Sequence, residues 1–168
     1  VDTWVGDFRY KVSKRKSIFK VSRYPGKKII KRIFSRSFYL RQVPELIGIK
    51  IDPIEHYMSF GAWEEKDPNP LFSSAFYLSN YGDVYRSGQN PLLHYLAKGW
   101  RLGHNPHPDF NTLKYLNSYP EVERLGICPL IHFFEYGAFK GYNPSPEYRI
   151  DSRALSNFTI SKRSHWDL

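Results

Sequence analysis

The chain has a single cysteine, Cys128, and no run of apolar residues long enough to cross a membrane. One cysteine excludes an intrachain disulfide, and a spanning helix needs about 20 consecutive apolar residues. Nothing near the amino terminus resembles a cleavable signal peptide. Glycine-rich phosphate-binding motifs, the G-x-S-x-G motif and an Asp-x-Asp pair are also missing. Because no complete set of catalytic residues is present, we expect a protein that is not an enzyme and binds no cofactor.

Acidic residues are missing from one long stretch near the amino terminus. Between Phe8 and Pro44 the chain has 13 Lys or Arg and no Asp or Glu, whereas residues 45–168 have 12 basic and 14 acidic side chains. The formal net charge of +9 therefore resides in this stretch. A block of like charge at one end is typical of an arm that contacts an acidic surface or partner. The arm has no RNP, zinc-finger or helix-turn-helix motif, which disfavours nucleic acid.

The end of the arm predicts a short amphipathic helix after Pro25. Its apolar face consists of Ile29, Ile30, Ile33 and Phe34, and its basic face of Lys27, Lys28, Lys31 and Arg32. Such a helix can lie in the interface of an anionic membrane, and its apolar face can also cover the end of a repeat array. The two roles are compatible. The residues predicted to contact a membrane or an acidic partner are Lys27, Lys28, Lys31, Arg32, Ile33 and Phe34.

What the sequence does contain is a period of 38 residues that runs without a gap through residues 35–148. It defines a first unit (35–72), a second unit (73–110) and a third unit (111–148), between a basic arm (1–34) and an irregular tail (149–168). A period of roughly 20 to 50 residues is typical of stacked repeats, and about three repeats are needed for stability. We therefore expect a mainly α fold, a solenoid-like array of three short-helix repeats.

The same residue types return at fixed places in every unit. They are Pro53, Pro91 and Pro129, then His56, His94 and His132, and then Gly61, Gly99 and Gly137. Asp52 and Asn90 precede their prolines and predict helix N-caps, while Cys128 departs from that pattern. We expect each of these helices to end at the glycine of its unit.

The recurring histidines invite a metal-binding interpretation, which their spacing disfavours. Each unit supplies one histidine at this position, and no second ligand recurs one helical turn away from it, as a zinc pair would require. His104, His107 and His165 lie in turns or in the tail. We therefore predict no metal site. The histidines are expected to be half-buried packing residues whose ring nitrogens bond to backbone groups or tyrosine hydroxyls between units.

The repeat resembles the tandem units found beside glycosyltransferase domains in bacterial cell-surface polysaccharide proteins, including those of the rhamnan-synthesis type. In the second unit the matching residues are Tyr77, Leu78, Tyr81, Asp83, Val84, Gly88, Asn90, Pro91, Leu92, His94, Tyr95, Leu96, Gly99, Gly103, Pro106, Pro108 and Phe110. The likeness covers about two thirds of the chain. Departures from the pattern are Gly82, Lys50, Glu65 and Cys128.

The resemblance implies a non-catalytic interaction or scaffold module. Its implied partner is a glycosyltransferase or another component of polysaccharide assembly, because the enzymatic activity of that family resides in separate domains. The implied location is cytoplasmic and peripheral to the bacterial inner membrane, where the basic arm would contact anionic lipid.

Two other functions are compatible with the sequence. Trp63, Trp100 and Tyr142 follow the second helix of their units and could form an exposed aromatic platform for sugar rings. The two tryptophans are 37 residues apart and thus nearly equivalent, although core packing would also explain them. The second of these functions is that of an accessory fragment of a glycosyltransferase, for which no nucleotide-sugar site is visible.

Overall fold

The structure is a computed structural model that describes residues 26–145. The arm before Gly26 and the predicted tail from residue 149 lie outside the described residues. The described part is mainly helical, as predicted, with nine α-helices and no strand between residues 26 and 145.

The helices are short and follow the 38-residue period. Helix α1 (Gly26–Ile30) precedes the units. The first unit contains α2 (Arg36–Gln42) and α3 (Pro53–His56), the second α4 (Ser74–Asn80), α5 (Gly82–Ser87) and α6 (Pro91–Ala97), and the third α7 (Thr112–Ser118), α8 (Pro120–Arg124) and α9 (Pro129–Glu135). Single 3-10 turns are formed by Pro44–Leu46, Gly99–Leu102 and Gly137–Lys140, and a π-helical turn by Tyr57–Gly61. The first unit thus has a 3-10 turn where the others have α5 and α8.

Side-chain caps explain where these helices begin. The side-chain oxygens of Ser35, Ser73 and Asn111 accept hydrogen bonds from backbone N–H groups in the first turns of α2, α4 and α7. Asp52 and Asn90 cap α3 and α6, as predicted. Cys128 makes no side-chain cap bond at α9, which agrees with its departure from the pattern.

Each unit closes on itself through one backbone hydrogen bond. The N–H groups of Ser35, Ser73 and Asn111 donate to the carbonyls of Pro68, Pro106 and Pro144 at 2.9, 3.0 and 3.0 Å. These prolines open the Pro-x-Pro turns at the ends of the units. The turns therefore supply the acceptor that brings the end of each unit back to its start.

Neighbouring units are joined by pairs of buried hydroxyls. The Tyr57 hydroxyl lies 3.2 Å from Ser74 Oγ, and the Tyr95 hydroxyl lies 3.1 Å from Thr112 Oγ1. All four side chains are fully buried, so each hydroxyl needs an internal partner. The corresponding residue of the third unit is Phe133, which is also fully buried and has no hydroxyl to satisfy.

The segment before the first unit completes the core. Helix α1 ends at Ile30, and both Ile30 and Ile33 are fully buried, so the apolar side of this segment packs in the core. Phe34 contacts the Tyr39 ring at a centroid distance of 5.1 Å, just as Phe72 contacts Tyr77 at 5.4 Å. Phe34 lies 38 residues before Phe72. In its packing, therefore, Phe34 belongs to the repeat array and not to the arm.

Candidate functional site

The recurring histidines form one internal hydrogen bond in every unit. Nδ1 of His56, His94 and His132 lies 2.8 Å from the hydroxyl oxygen of a tyrosine 17 residues earlier, namely Tyr39, Tyr77 and Tyr115. These contacts connect the first helix of a unit to its last helix. The packing role predicted for the histidines is therefore confirmed, but the prediction that their bonds run between units is wrong, because each bond lies within one unit.

The recurring glycines serve the same contact. A Cβ atom added at Gly61, Gly99 or Gly137 would overlap the hydroxyl oxygen of Tyr39, Tyr77 or Tyr115, respectively. The prediction that these glycines end the helices is wrong for the second and third units, because α6 ends at Ala97 and α9 at Glu135, and Gly99 and Gly137 each begin a 3-10 turn. The position needs a glycine because the tyrosine approaches the backbone too closely for any side chain.

The second unit has an additional histidine at this contact. The Tyr77 hydroxyl lies 3.1 Å from Nδ1 of His104 as well as 2.8 Å from Nδ1 of His94. The hydroxyl can donate to one imidazole and accept from the N–H of the other. The His104 ring also stacks on Tyr81 at a centroid distance of 3.7 Å, with parallel planes.

Burial keeps these groups uncharged near neutral pH. Removal from water lowers the pKa of His94, His104 and His132 and raises the pKa of Tyr39, Tyr77 and Tyr115. Burial also raises the pKa of Cys128 to about 12, so its thiol is not a ready nucleophile. Within residues 26–145, no group of three or more His, Cys, Asp or Glu side chains could hold a metal ion.

The predicted aromatic platform does not form. Trp100 is only 4% exposed, and the Arg101 guanidinium carbon lies 4.2 Å from the centroid of its ring. Tyr142 stacks on Tyr119 at 3.9 Å with nearly parallel planes, which covers one face of its ring. Trp63 is half-buried and contacts Tyr85 of the second unit. Sugar rings would have no shared exposed surface on the three predicted residues.

The register explains why the two tryptophans differ. Their separation is one residue short of the period, so Trp63 corresponds to Phe139 and Trp100 corresponds to Ala62. One residue along a 3-10 turn rotates the side chain by about 120°. Phe139 is 74% exposed and Ala62 is fully buried. Trp63 therefore stands at a surface position and Trp100 at a core position.

The residues predicted to contact a membrane or an acidic partner have different roles in the structure. Lys27 Nζ pairs with Asp52 Oδ2 at 2.8 Å and also with Glu55. The Arg32 guanidinium forms two hydrogen bonds to Glu135 of the third unit, from Nε at 2.6 Å and from Nη2 at 2.5 Å. Both cations thus hold the segment after Gly26 onto the array.

The other four residues divide between surface and core. Lys28 and Lys31 are exposed and remain candidates for an external contact. Ile33 is fully buried, and Phe34 packs against the core. The prediction that Ile33 and Phe34 contact a membrane or a partner therefore disagrees with the structure, because Ile33 lies in the core and Phe34 packs against Tyr39 and Tyr57.

One exposed apolar segment was not predicted from the sequence. Ile47, Ile49 and Ile51 of the first unit are 67%, 50% and 45% exposed. A signal was present, since apolar residues alternate with Gly48 and Lys50 over residues 47–51 in a place where the second unit has the polar sequence of α5. Alternation is usually attributed to a half-buried strand, and here it belongs to an exposed loop.

Comparisons of the chain with protein-family models, curated proteins and solved structures found no match. The resemblance of the repeats to units beside glycosyltransferase domains therefore stays a prediction. Among the helices of residues 26–145, none is both long and apolar enough to cross a membrane.

Proposed function

We propose that the chain is a non-catalytic interaction module that holds polysaccharide glycosyltransferase machinery at an anionic membrane surface. The observation that carries the proposal is that the recurring residues make internal contacts, whereas the exposed cations near the amino terminus do not recur in every unit. The tyrosines, histidines and glycines that recur in every unit contact one another inside the array. Exposed cations remain at the amino-terminal end, on Lys28 and Lys31, where the sequence has its basic excess.

Electrostatic attraction is the physical basis of the membrane contact. Near an anionic bilayer each Lys or Arg contributes about 1 kcal/mol, and the contribution fades beyond a Debye length. The stretch from Phe8 to Pro44 has 13 such residues without an acid. Among the described cations of this stretch, Lys27 and Arg32 are in internal ion pairs, whereas Lys28, Lys31, Arg36 and Arg41 are exposed.

The membrane contact is tested by vesicle co-sedimentation at low and high salt. The test variant replaces Lys28 and Lys31 with Glu, and the control variant replaces the exposed Lys98 and Lys114 with Glu, which changes the net charge equally. We expect the unmodified chain to bind phosphatidylserine-containing vesicles at low salt, and the test variant to bind more weakly than the control. Equal binding to neutral phosphatidylcholine vesicles would contradict the proposal and leave an acidic protein as the candidate partner of the arm.

The link to polysaccharide assembly rests on the resemblance of the repeats and needs a separate test. Proteins retained by the natural full-length chain can be identified by mass spectrometry. Enrichment of a glycosyltransferase or of another polysaccharide-assembly protein would support the scaffold role. Reproducible enrichment of unrelated proteins alone would contradict it.

A further inference from the structure

The exposed isoleucines form a loop that the other units do not have. Residues 47–51, named here the isoleucine loop, present Ile47, Ile49 and Ile51 to solvent. In the second unit, most of the corresponding positions belong to α5 and its end, with Ser87 at the position of Ile49. In the first unit a 3-10 turn ends at Leu46, and Gly48 has a positive φ of 88°. The change from helix to loop exposes three β-branched apolar side chains in one short segment.

Basic side chains lie around this loop. Lys50 is within it and exposed. Asp52, the residue that follows the loop, is paired with Lys27 of α1 at 2.8 Å, which places α1 beside the loop. Burial alone would raise the pKa of Asp52, but hydrogen bonds from Lys27 and from the Ile54 N–H, together with the charges of Lys27 and Lys31, hold it below its ordinary value. Lys31 is therefore also close to this end of the loop.

The nearby acids leave the surface with a positive balance. Asp52 and Glu55 share one cation, Lys27, so these three side chains keep one net negative charge. Lys28, Lys31 and Lys50 are exposed, and Glu45 is the exposed acid next to the loop in sequence. Apolar side chains surrounded by cations are the combination that binds anionic bilayers, since the apolar groups enter the headgroup boundary while the cations contact the headgroups.

We propose that the isoleucine loop inserts into the headgroup region of an anionic lipid bilayer, with Lys28, Lys31 and Lys50 contacting the headgroups. The proposal rests on the membrane contact proposed above and names the element that enters the bilayer. Ile33 and Phe34 do not fill this role because they are packed in the core. A bilayer suits the loop because its apolar and basic groups require no shaped partner surface.

The third unit provides a matched control for a substitution in the loop. Leu125 lies two periods after Ile49, and both side chains are 50% exposed. We expect Ile49→Asp in the full chain to weaken binding to phosphatidylserine-containing vesicles about tenfold, because an apolar contact is lost and a like charge is introduced. Leu125→Asp changes the net charge equally and should leave binding close to that of the unmodified chain. Equal losses in the two variants would overturn the assignment of the loop.

A fluorescent probe gives a second readout that does not depend on loss of binding. Because Cys128 is buried and burial raises its pKa to about 12, a new surface cysteine can be labelled selectively. An environment-sensitive dye on Ile49→Cys should shift its emission to the blue when phosphatidylserine-containing vesicles are added. The same dye on Leu125→Cys should not shift.

The outcomes separate the loop from the wider proposal. If the unmodified chain binds anionic vesicles but the dye at position 49 does not shift, the loop assignment is overturned and a purely electrostatic contact remains. If the unmodified chain does not bind these vesicles at low salt, both proposals are overturned. A shift caused by an isolated protein partner and not by vesicles would overturn the lipid assignment and make the loop a protein contact.

Discussion

The first and second units have the same tyrosine–histidine contact, but they provide different hydrogen-bond acceptors for a neighbouring backbone N–H group. In the second unit the Tyr81 hydroxyl accepts a hydrogen bond of 2.7 Å from the backbone N–H of Asn105. The first unit has Val43 at the position of Tyr81, and the corresponding N–H, that of Asp67, donates to Gln42 Oε1 at 3.0 Å. A neighbouring side chain thus replaces the missing hydroxyl.

At two positions the first unit has residues that are less favourable for stability than those of the second unit. The second unit has Gly103 at a left-handed position with a φ of 76°, and the first unit has Glu65 there with a φ of 57°. It also has a half-buried carboxylate, Asp67, where the second unit has the neutral Asn105. The left-handed backbone conformation at the first position and the side-chain hydrogen bond at the second are therefore the same in both units. The first unit forms them with a non-glycine residue in a left-handed conformation and with a half-buried carboxylate.

The largest loss of stability is expected on truncation of Tyr95, whose buried hydroxyl joins the second and third units. Tyr95→Ala removes a fully buried aromatic ring and should lower the free energy of unfolding by about 3–5 kcal/mol. Tyr95→Phe reproduces Phe133 and removes the hydroxyl with its hydrogen bond to Thr112, at a cost of about 0.5–1.5 kcal/mol. Urea denaturation followed by circular dichroism measures both values. If Tyr95→Ala cost no more than Tyr95→Phe, the core would not lie where the structure places it.

A smaller but diagnostic effect is expected at the glycine beside the Tyr77 hydroxyl. Gly99→Ala should destabilise the protein by about 1–3 kcal/mol, because the new methyl group overlaps Tyr77 and forces a backbone shift. Gly82 is a suitable control, since an added Cβ there meets only the flexible end of Arg86 at 3.4 Å. Gly82→Ala should therefore leave the midpoint of urea denaturation nearly unchanged. Similar losses in the two variants would contradict the close-approach explanation.

The helical class and the internal role of the histidines could be predicted from the period alone. Residues that recur in every unit are expected to make a contact that every unit contains, and the hydrogen bond between Tyr77 and His94 is such a contact. The register also predicts the packing of Phe34, which lies one period before Phe72. Strict use of the 38-residue spacing would have assigned Phe34 to the array.

Other features depend on tertiary contacts that no local pattern reveals. The two cations in internal ion pairs, Lys27 and Arg32, look the same in sequence as Lys28 and Lys31. Arg32 pairs with Glu135, which lies 103 residues further along the chain. Charge on one helical face predicts exposure only when no distant acid reaches it. For the same reason, the sequence could not distinguish membrane insertion of Ile33 from burial in the core.

A stabilising substitution should bring the first unit closer to the second. Burial raises the pKa of Asp67 to about 6, which means that the folded state disfavours its ionised form. Asp67→Asn reproduces Asn105 and keeps the side-chain oxygen that accepts from the Ser74 N–H at 2.8 Å. We expect a gain of about 1 kcal/mol at neutral pH, reduced from the full linkage value because the group is partly solvated.

The pH dependence of that gain identifies its cause. Above about pH 6 the carboxylate is ionised in the folded protein and the gain should be complete. As the pH falls through the folded pKa toward the ordinary value of 3.8, Asp67 becomes protonated in the folded state and the gain should disappear. Thermal denaturation of both proteins across this range measures the difference. A constant gain at all pH values would point to packing in place of charge burial.

The smallest effect concerns the paired histidines of the second unit. Burial lowers the pKa of both His94 and His104, so the folded state favours their neutral forms. The unfolded chain takes up protons first as the pH falls below the ordinary value of 6.5. The stability that these neutral rings contribute is therefore complete above that value and is lost as the pH falls toward their folded pKa values.

The third unit shows how to weaken this dependence without removing the stacked ring. Tyr142 occupies the position of His104 and stacks on Tyr119 as His104 stacks on Tyr81. His104→Tyr should leave stability at neutral pH nearly unchanged and reduce the loss at about pH 5 by less than about 1 kcal/mol, because one buried titrating group is gone. His107→Tyr is an informative control, since His107 lies outside the Tyr77 contact although burial also lowers its pKa. If it flattened the acid profile as much as His104→Tyr, the loss could not be attributed to the two rings that share the Tyr77 hydroxyl.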